Sequence, residues 1–152
     1  MGGVDDEDYA KECYALVEEL QLKNLIFTGR VDVVQYMQKL DFTILTSISE
    51  GQPLSVLESM AACRPCVTTE VGCCRELLEG APGDTFGIAG YCVPPMYVRG
   101  WPMRWRNVCQ PCPARRDGRI GQRRVDAYFH HEQMLANYRK MYDETAKEYH
   151  LE

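Results

Sequence analysis

Two glutamates with seven residues between them, Glu50 and Glu58, frame the stretch of this chain best equipped for chemistry. Between them runs Gly51-Gln52-Pro53-Leu54-Ser55-Val56-Leu57, and Ser49 stands just before. An apolar, β-branched run precedes this stretch, and a helical pattern follows it. The end of a strand leading into a helix is where α/β proteins place ligands. The free N–H groups and dipole of a helix N-terminus favour an anion there, phosphate above all. Ser49, Gly51 and Gln52 make a small polar turn whose backbone can approach a ligand closely. Two acids beside a phosphate site are electrostatically unfavourable unless they accept hydrogen bonds from hydroxyl groups. A carboxylate is a strong acceptor for a vicinal diol. A diphosphate flanked by two sugars would satisfy both demands. On pattern alone, an equal reading makes Glu50 a loop acid and Glu58 a surface acid of the helix, because two glutamates at a fixed spacing are common.

The elements that must position this turn follow from periodicity. Asp6 to Leu20 reads as a helix with Tyr9, Cys13, Leu16, Val17 and Leu20 on one stripe. Asn24 to Thr28 reads as a short strand ending at Gly29. Val33 to Leu40 reads as a short helix. Phe42 to Thr46 suits a strand buried on both faces of a parallel sheet. Pro53 fits the first helical position. Leu54 to Ala62 follows as a helix with Leu54, Leu57, Met60 and Ala61 on its packing face. Cys66 to Thr69 is the next strand, Cys74 to Leu78 a short helix, Gly80 to Gly87 a loop, and Ala89 to Val93 a strand stopped by Pro94-Pro95. Residues 131–149 form a terminal helix. Met134, Leu135, Tyr138, Met141, Tyr142, Thr145 and Tyr149 recur along it at a spacing that predicts core packing. Strands alternating with helices predict an α/β, Rossmann-like three-layer fold: a parallel sheet with helices on both faces.

With 152 residues, 45% apolar and 26% charged, the chain has the composition of one soluble domain. No run approaches the roughly 20 apolar residues of a membrane span. The acidic N-terminus has no apolar core, so a cytoplasmic location is expected. Eight cysteines without a secretory signal argue against a disulfide framework. Cys63-x-x-Cys66 and Cys109-x-x-Cys112 could form half-sites for zinc. The 42 residues between the pairs make that a poor match to compact zinc folds, and no metal is expected. The exposed histidines His130, His131 and His150 have no convincing partner ligands. The net charge is −5, yet Tyr97 to Arg124 holds eight arginines and one acid, Asp117. Such a block could be a nucleic-acid patch.

A different origin for this block is expected. Tyr97 to Pro113 contains both tryptophans and follows neither periodicity. Back-translated and read two bases later, Gly100 to Arg106 permits Leu-Ala-Asp-Ala-Leu-Ala, part of an amphipathic helix. Residues 97–114 therefore read as a compensated frameshift, the alternative being a genuine irregular insertion. On the frameshift reading Cys109, Cys112 and much of the arginine block carry no selected chemistry, and no nucleic-acid partner is expected. A dehydrogenase is also disfavoured, since no Gly-x-Gly-x-x-Gly follows a strand.

The central stretch, Leu45-Thr46-Ser47-Ile48-Ser49-Glu50-Gly51-Gln52-Pro53-Leu54, resembles the C-terminal, donor-binding half of the retaining family-4 glycosyltransferases of GT-B architecture. The E-x7-E signature falls on Glu50 and Glu58. The context is most similar to the bacterial Pel exopolysaccharide glycosyltransferase group. Phe27-Thr28-Gly29-Arg30-Val31, Leu57-Glu58-Ser59-Met60-Ala61-Ala62 and Val71-Gly72-Cys73-Cys74-Arg75-Glu76 fit the same group, as does Arg123-Arg124-Val125 with Tyr138 and Tyr142. The resemblance implies a partial donor-nucleotide-binding domain over residues 1–152, an incomplete GT-B C-terminal domain. It implies that Glu50 contacts the donor sugar as the catalytic residue. Ser49, Gly51, Gln52, Pro53 and Leu54 would hold the diphosphate and sugar, and Glu58 the ribose. Arg30 and Val31 would lie beside the base. The implied donor is a UDP-sugar, UDP-glucose being expected, with no cofactor. The implied partners are an N-terminal acceptor domain and a membrane-associated polysaccharide synthesis complex. The first strand of this half and its Arg and Lys are missing, and Cys63 replaces a usual glycine. Little turnover is expected of these residues alone; a non-catalytic α/β nucleotide-binding or interaction module is the rival expectation.

Overall fold

The computed structural model describes residues 4–97, 99, 102, 104, 106 and 111–149. They fall into two compact units, Met1–Gln38 and Lys39–Glu152. Half of the irregular segment at 97–114, including Cys109, lies outside the described residues, as does His150.

In the first unit, helix α1 spans Glu7–Glu19. Asp6 caps it, its carboxylate accepting from the N–H groups of Asp8 and Tyr9 at 3.0 Å each. Glu7 and Asp8 add negative charge to the first turn, where the dipole favours it. The apolar stripe predicted for α1 is present but open: Tyr9, Leu16 and Leu20 are exposed and no residue of the helix is buried. Tyr14 meets Phe27 edge to face at 4.6 Å. Residues 24–28 do not form the expected strand. A strand exists only through a ladder partner, and the sheet includes no segment from this unit. Ile26, which such a strand would cover, is 81% exposed. Helix α2, Val33–Met37, is capped by Asp32 and ends short of the predicted Leu40.

The second unit holds a parallel three-stranded sheet in the order β1-β2-β3. The strands are β1, Thr43–Leu45; β2, Cys66–Thr69; and β3, Gly90–Val93. Helix α3, Leu54–Ala61, connects β1 to β2, and α4, Cys74–Glu79, connects β2 to β3. Two longer helices follow, α5 over Pro111–Tyr128 and α6 over His131–Glu148. The predicted Rossmann-like parallel sheet with helices around it is what the chain forms. Strand β2 is buried along its whole length. Its side chains alternate between two apolar clusters, as the pleat requires. Cys66 joins Val56, Met60, Cys74, Leu77, Leu78, Ala89 and Cys92; Val67 joins Val93 with Phe42 and Tyr91.

Three expectations are corrected here. Strand β1 is not buried on both faces, since Ile44 is 50% exposed, and among the described residues it pairs only with β2. The packing face of α3 is turned by about one residue, with Val56, Ser59 and Met60 buried and Leu54 exposed. The polar Ser59 is accommodated because its hydroxyl donates to Arg64 O at 3.0 Å and shares a hydrogen bond with Thr43 Oγ1 at 2.7 Å. The stripe on α6 is not core: Met134, Tyr138, Met141 and Tyr142 are all exposed. Periodicity establishes an apolar face but not what covers it.

Helix α5 completes the core. Ile120, Val125 and Phe129, just past its end, pack on the larger cluster. Gly118 lets the helix press on the carbonyl of Cys63, where any Cβ would collide with backbone. Arg124 is 1% exposed. Its Nε donates to Asp84 Oδ2 at 2.6 Å and its Nη2 to Asp84 Oδ1 at 3.1 Å. Its Nη1 donates to Leu77 O and Leu78 O at 2.9 and 3.0 Å, and Nη2 also reaches Gly87 O. The guanidinium thereby supplies a partner to Leu77 O at the end of α4 and a second one to Leu78 O, which also accepts from Ala89 N–H at 2.7 Å. Beside it, the buried Asp117 accepts from Arg116 Nε at 3.2 Å and from the Tyr91 hydroxyl at 3.4 Å. Burial and the Asp117 carboxylate push the Tyr91 phenol up from its ordinary value.

Candidate functional site

The candidate turn lies where the sequence places it, between the end of β1 and the start of α3. Pro53 is the N-cap rather than the first helical residue: its backbone is extended, with φ −71° and ψ 117°. Proline offers no capping side chain, so no side chain caps α3. Val56 N–H already reaches Pro53 O at 3.2 Å. The first amides of α3, from Leu54 and Ser55, therefore face outward without an intrahelical acceptor. This is the backbone arrangement that receives an oxyanion.

The turn is braced from behind by the loop that follows β2. Thr69 Oγ1 donates to Ser47 O at 2.5 Å. Cys73 N–H donates to Gly51 O at 3.0 Å. Gly72, at φ +52°, lies directly against the carbonyls of Glu50 and Gly51. Arg75 stiffens the same loop, binding Glu70 at 2.9 and 2.5 Å and Glu79 at 3.0 Å. The arginine hydrogen bond holds the Glu70 carboxyl below its ordinary value. Burial, then the neighbouring Cys74, push the Cys73 thiol up, partly offset by hydrogen bonds that include one with Gln52.

Ser49, Gly51, Gln52, Leu54 and Glu58 are exposed, Glu50 is half-buried and Pro53 is buried. Gln52 separates two concavities. One, of about 400 Å³, is lined by Gln52, Cys73, Asp84, Arg124 and Tyr128. The other, of about 570 Å³, runs from Gln52, Leu54 and Leu57 to Met134, Tyr138 and Met141 of α6. Arg30 and Val31 belong to the first unit, where Arg30 is exposed and Val31 half-buried. Residue types pointed to the turn, but its braces Thr69, Gly72 and Cys73 were not foreseen. A glycine twenty-one residues beyond the turn was the one available signal.

Cys109 and the Cys112 side chain of the zinc pattern lie outside what the structure describes; among the described residues no three metal-ligating side chains converge. Cys66 begins β2 and burial pushes its thiol up to about 12, while Cys63 Sγ lies 3.1 Å from Gln122 Oε1.

The sequence pattern of the family described as "Glycosyl transferases group 1" matches residues 1–101. The chain belongs to that family. Two curated relatives from Escherichia coli, the O-antigen biosynthesis glycosyltransferase WbnH and the probable O-antigen biosynthesis glycosyltransferase WbiN, are each 38% identical over 60 residues. Those residues are 40% of this chain and 18% of either relative. A sucrose-phosphate synthase from Thermosynechococcus elongatus superposes with a TM-score of 0.76 at 25% identity, covering 93% of this chain and 38% of its own. Anabaena HepE, solved with UDP-glucose, superposes with a TM-score of 0.80 at 18% identity, covering 94% and 40%. Both are GT-B enzymes. This group 1 glycosyltransferase chain thus spans a fifth to two fifths of the proteins it resembles. No helix among the described residues is long and apolar enough to cross a membrane.

Proposed function

We propose that this chain is the donor-binding portion of a retaining, UDP-sugar-dependent GT-B glycosyltransferase of the Pel exopolysaccharide type, with UDP-glucose as donor. The observation that carries the reading is the uncapped N-terminus of α3, set between Glu50 and Glu58 in a chain of this family. The α3 amides and the backbone of Gly51 and Gln52 hold the diphosphate. Ser49, Pro53 and Leu54 shape the adjoining sugar pocket, and Glu58 accepts from the ribose hydroxyls. Glu50, ahead of the helix, accepts from the donor-sugar hydroxyls and orients the anomeric carbon. Charge accumulating on the departing diphosphate is met by fixed amide dipoles, the chief source of rate enhancement in such a site. No metal is assigned to the reaction, and the protein acts in the cytoplasm beside a membrane-associated polysaccharide assembly. These residues alone bind donor without appreciable turnover, because the acceptor is held by a further N-terminal domain. Their small share of each relative's length supports that view.

Titration calorimetry of the chain with UDP and UDP-glucose tests the reading. Glu58→Ala is expected to weaken UDP about tenfold, the loss of a charge-assisted hydrogen bond. Glu50→Gln is expected to weaken UDP-glucose while sparing UDP. Equal affinity of Glu58→Ala and the parent chain for UDP would refute the ribose assignment. Absence of binding at millimolar UDP-glucose would leave the non-catalytic interaction module as the better description.

A further inference from the structure

We infer that Thr69 and Gly72, with the amide of Cys73, are positioning residues that set the place of Glu50 at the donor turn. The inference rests on the donor-binding reading given above. Three features converge on five residues of backbone. Thr69 is 4% exposed, and its hydroxyl holds Ser47 O from the end of the buried strand β2. Cys73 N–H holds Gly51 O. Gly72 supplies a surface without a side chain against which the Glu50 and Gly51 carbonyls rest. The brace is anchored in turn: Glu70 N–H donates to Val93 O at 2.8 Å, extending the sheet, and Arg75 ties Glu70 to α4. Glu50 is thereby fixed at both ends of its own loop, to the most buried strand of the sheet.

The chemistry makes such a brace useful. A carboxylate selects a sugar hydroxyl only where it is held to within about half an ångström. A polar loop would otherwise sample many conformations, and fixing one of them costs conformational entropy. Glu58 needs no such help, being carried by α3 itself. The brace should therefore govern recognition of the sugar more than recognition of the nucleoside.

The test compares UDP-glucose with UDP, by calorimetry on the whole chain. Thr69→Val keeps the buried shape and removes the hydroxyl; Thr69→Ser restores it. Gly72→Ala places a methyl group against the Glu50 and Gly51 backbone. Thr69→Val is expected to weaken UDP-glucose about tenfold and UDP less than threefold, a difference of one charge-assisted hydrogen bond. Gly72→Ala should do the same or more, and Thr69→Ser should return the parent affinities. Equal losses for both ligands would make the brace a matter of general stability and overturn the inference. So would unchanged UDP-glucose binding in Thr69→Val, which remains informative if Gly72→Ala does not fold. Failure of the parent chain to bind either ligand overturns the donor-binding reading itself, and this inference with it.

Discussion

Replacing Arg124 by methionine should be among the most damaging single changes to this fold. The apolar length of the side chain is kept, so packing changes little. The guanidinium is lost, and with it hydrogen bonds to Asp84, Leu77 O, Leu78 O and Gly87 O. Asp84 loses its ionic partner at 2% side-chain exposure and keeps only the Phe86 N–H at 2.8 Å. Removing one member of a buried pair costs about 3–5 kcal/mol, because the other charge stays buried and uncompensated. At about 2–4 °C per kcal/mol for a chain of this size, Tm should fall by roughly 6–20 °C. That is a large part of a typical stability of about 5–15 kcal/mol. Urea denaturation at pH 7 measures the loss directly. The sign with pH follows from Asp84, whose carboxyl the Arg124 hydrogen bonds hold below the ordinary 3.8. A depressed carboxyl stabilises the fold above its unfolded value and loses that contribution as pH falls through the folded one. The gap between parent and variant should therefore be full at neutral pH and close as pH falls below about 3.8. A loss under 1 kcal/mol at pH 7, or a gap that widens in acid, would refute the assignment of Arg124 as a charged cap on α4.

Three more expectations follow from the cysteines. Cys63 has φ +57°, the left-handed region that favours glycine at the end of a helix; Cys63→Gly should add about 1 kcal/mol in urea denaturation, and an unchanged or lower midpoint would count against strain there. Cys66, Cys74 and Cys92 are buried whereas Cys13, Cys63 and Cys73 are partly open, so alkylation of the folded chain at pH 8, mapped by mass spectrometry, should mark the second set first. Because the Cys66 thiol is raised from 9.0 to about 12, the unfolded chain ionises first as pH rises, and this group should cost stability progressively between those values. Rapid labelling of Cys66 in the folded chain would contradict both statements.

The strands and helices around the turn were legible because each carries its own period. Cys66 to Thr69 is a strand as predicted, since an unbroken small apolar run has no other way to bury both faces. Residues 24–28 carried the same signature and form no strand, because pairing is a property of two segments and a sequence shows one. Helix α5 was not among the expected elements, and its Gly118 marks where a neighbouring backbone comes close. The candidate site divides in the same way. Glu50, Glu58 and Pro53 announce themselves by type and spacing along one loop and helix. Thr69, Gly72 and Cys73 act across about twenty residues of chain through backbone contacts, and nothing in their local pattern records the partner.

The span of the family match and the residues required for folding do not coincide. The family match ends at residue 101, but the cap on α4 and the helix resting on Cys63 come from beyond it. A truncation or a domain exchange drawn at that boundary would keep every residue of the donor turn and discard the wall behind it. Leu77, Leu78 and Met60 would then face water, and the turn would be displayed on a fragment with half a core. Any chimera that borrows this donor turn from one relative for another must carry its own α5 with it.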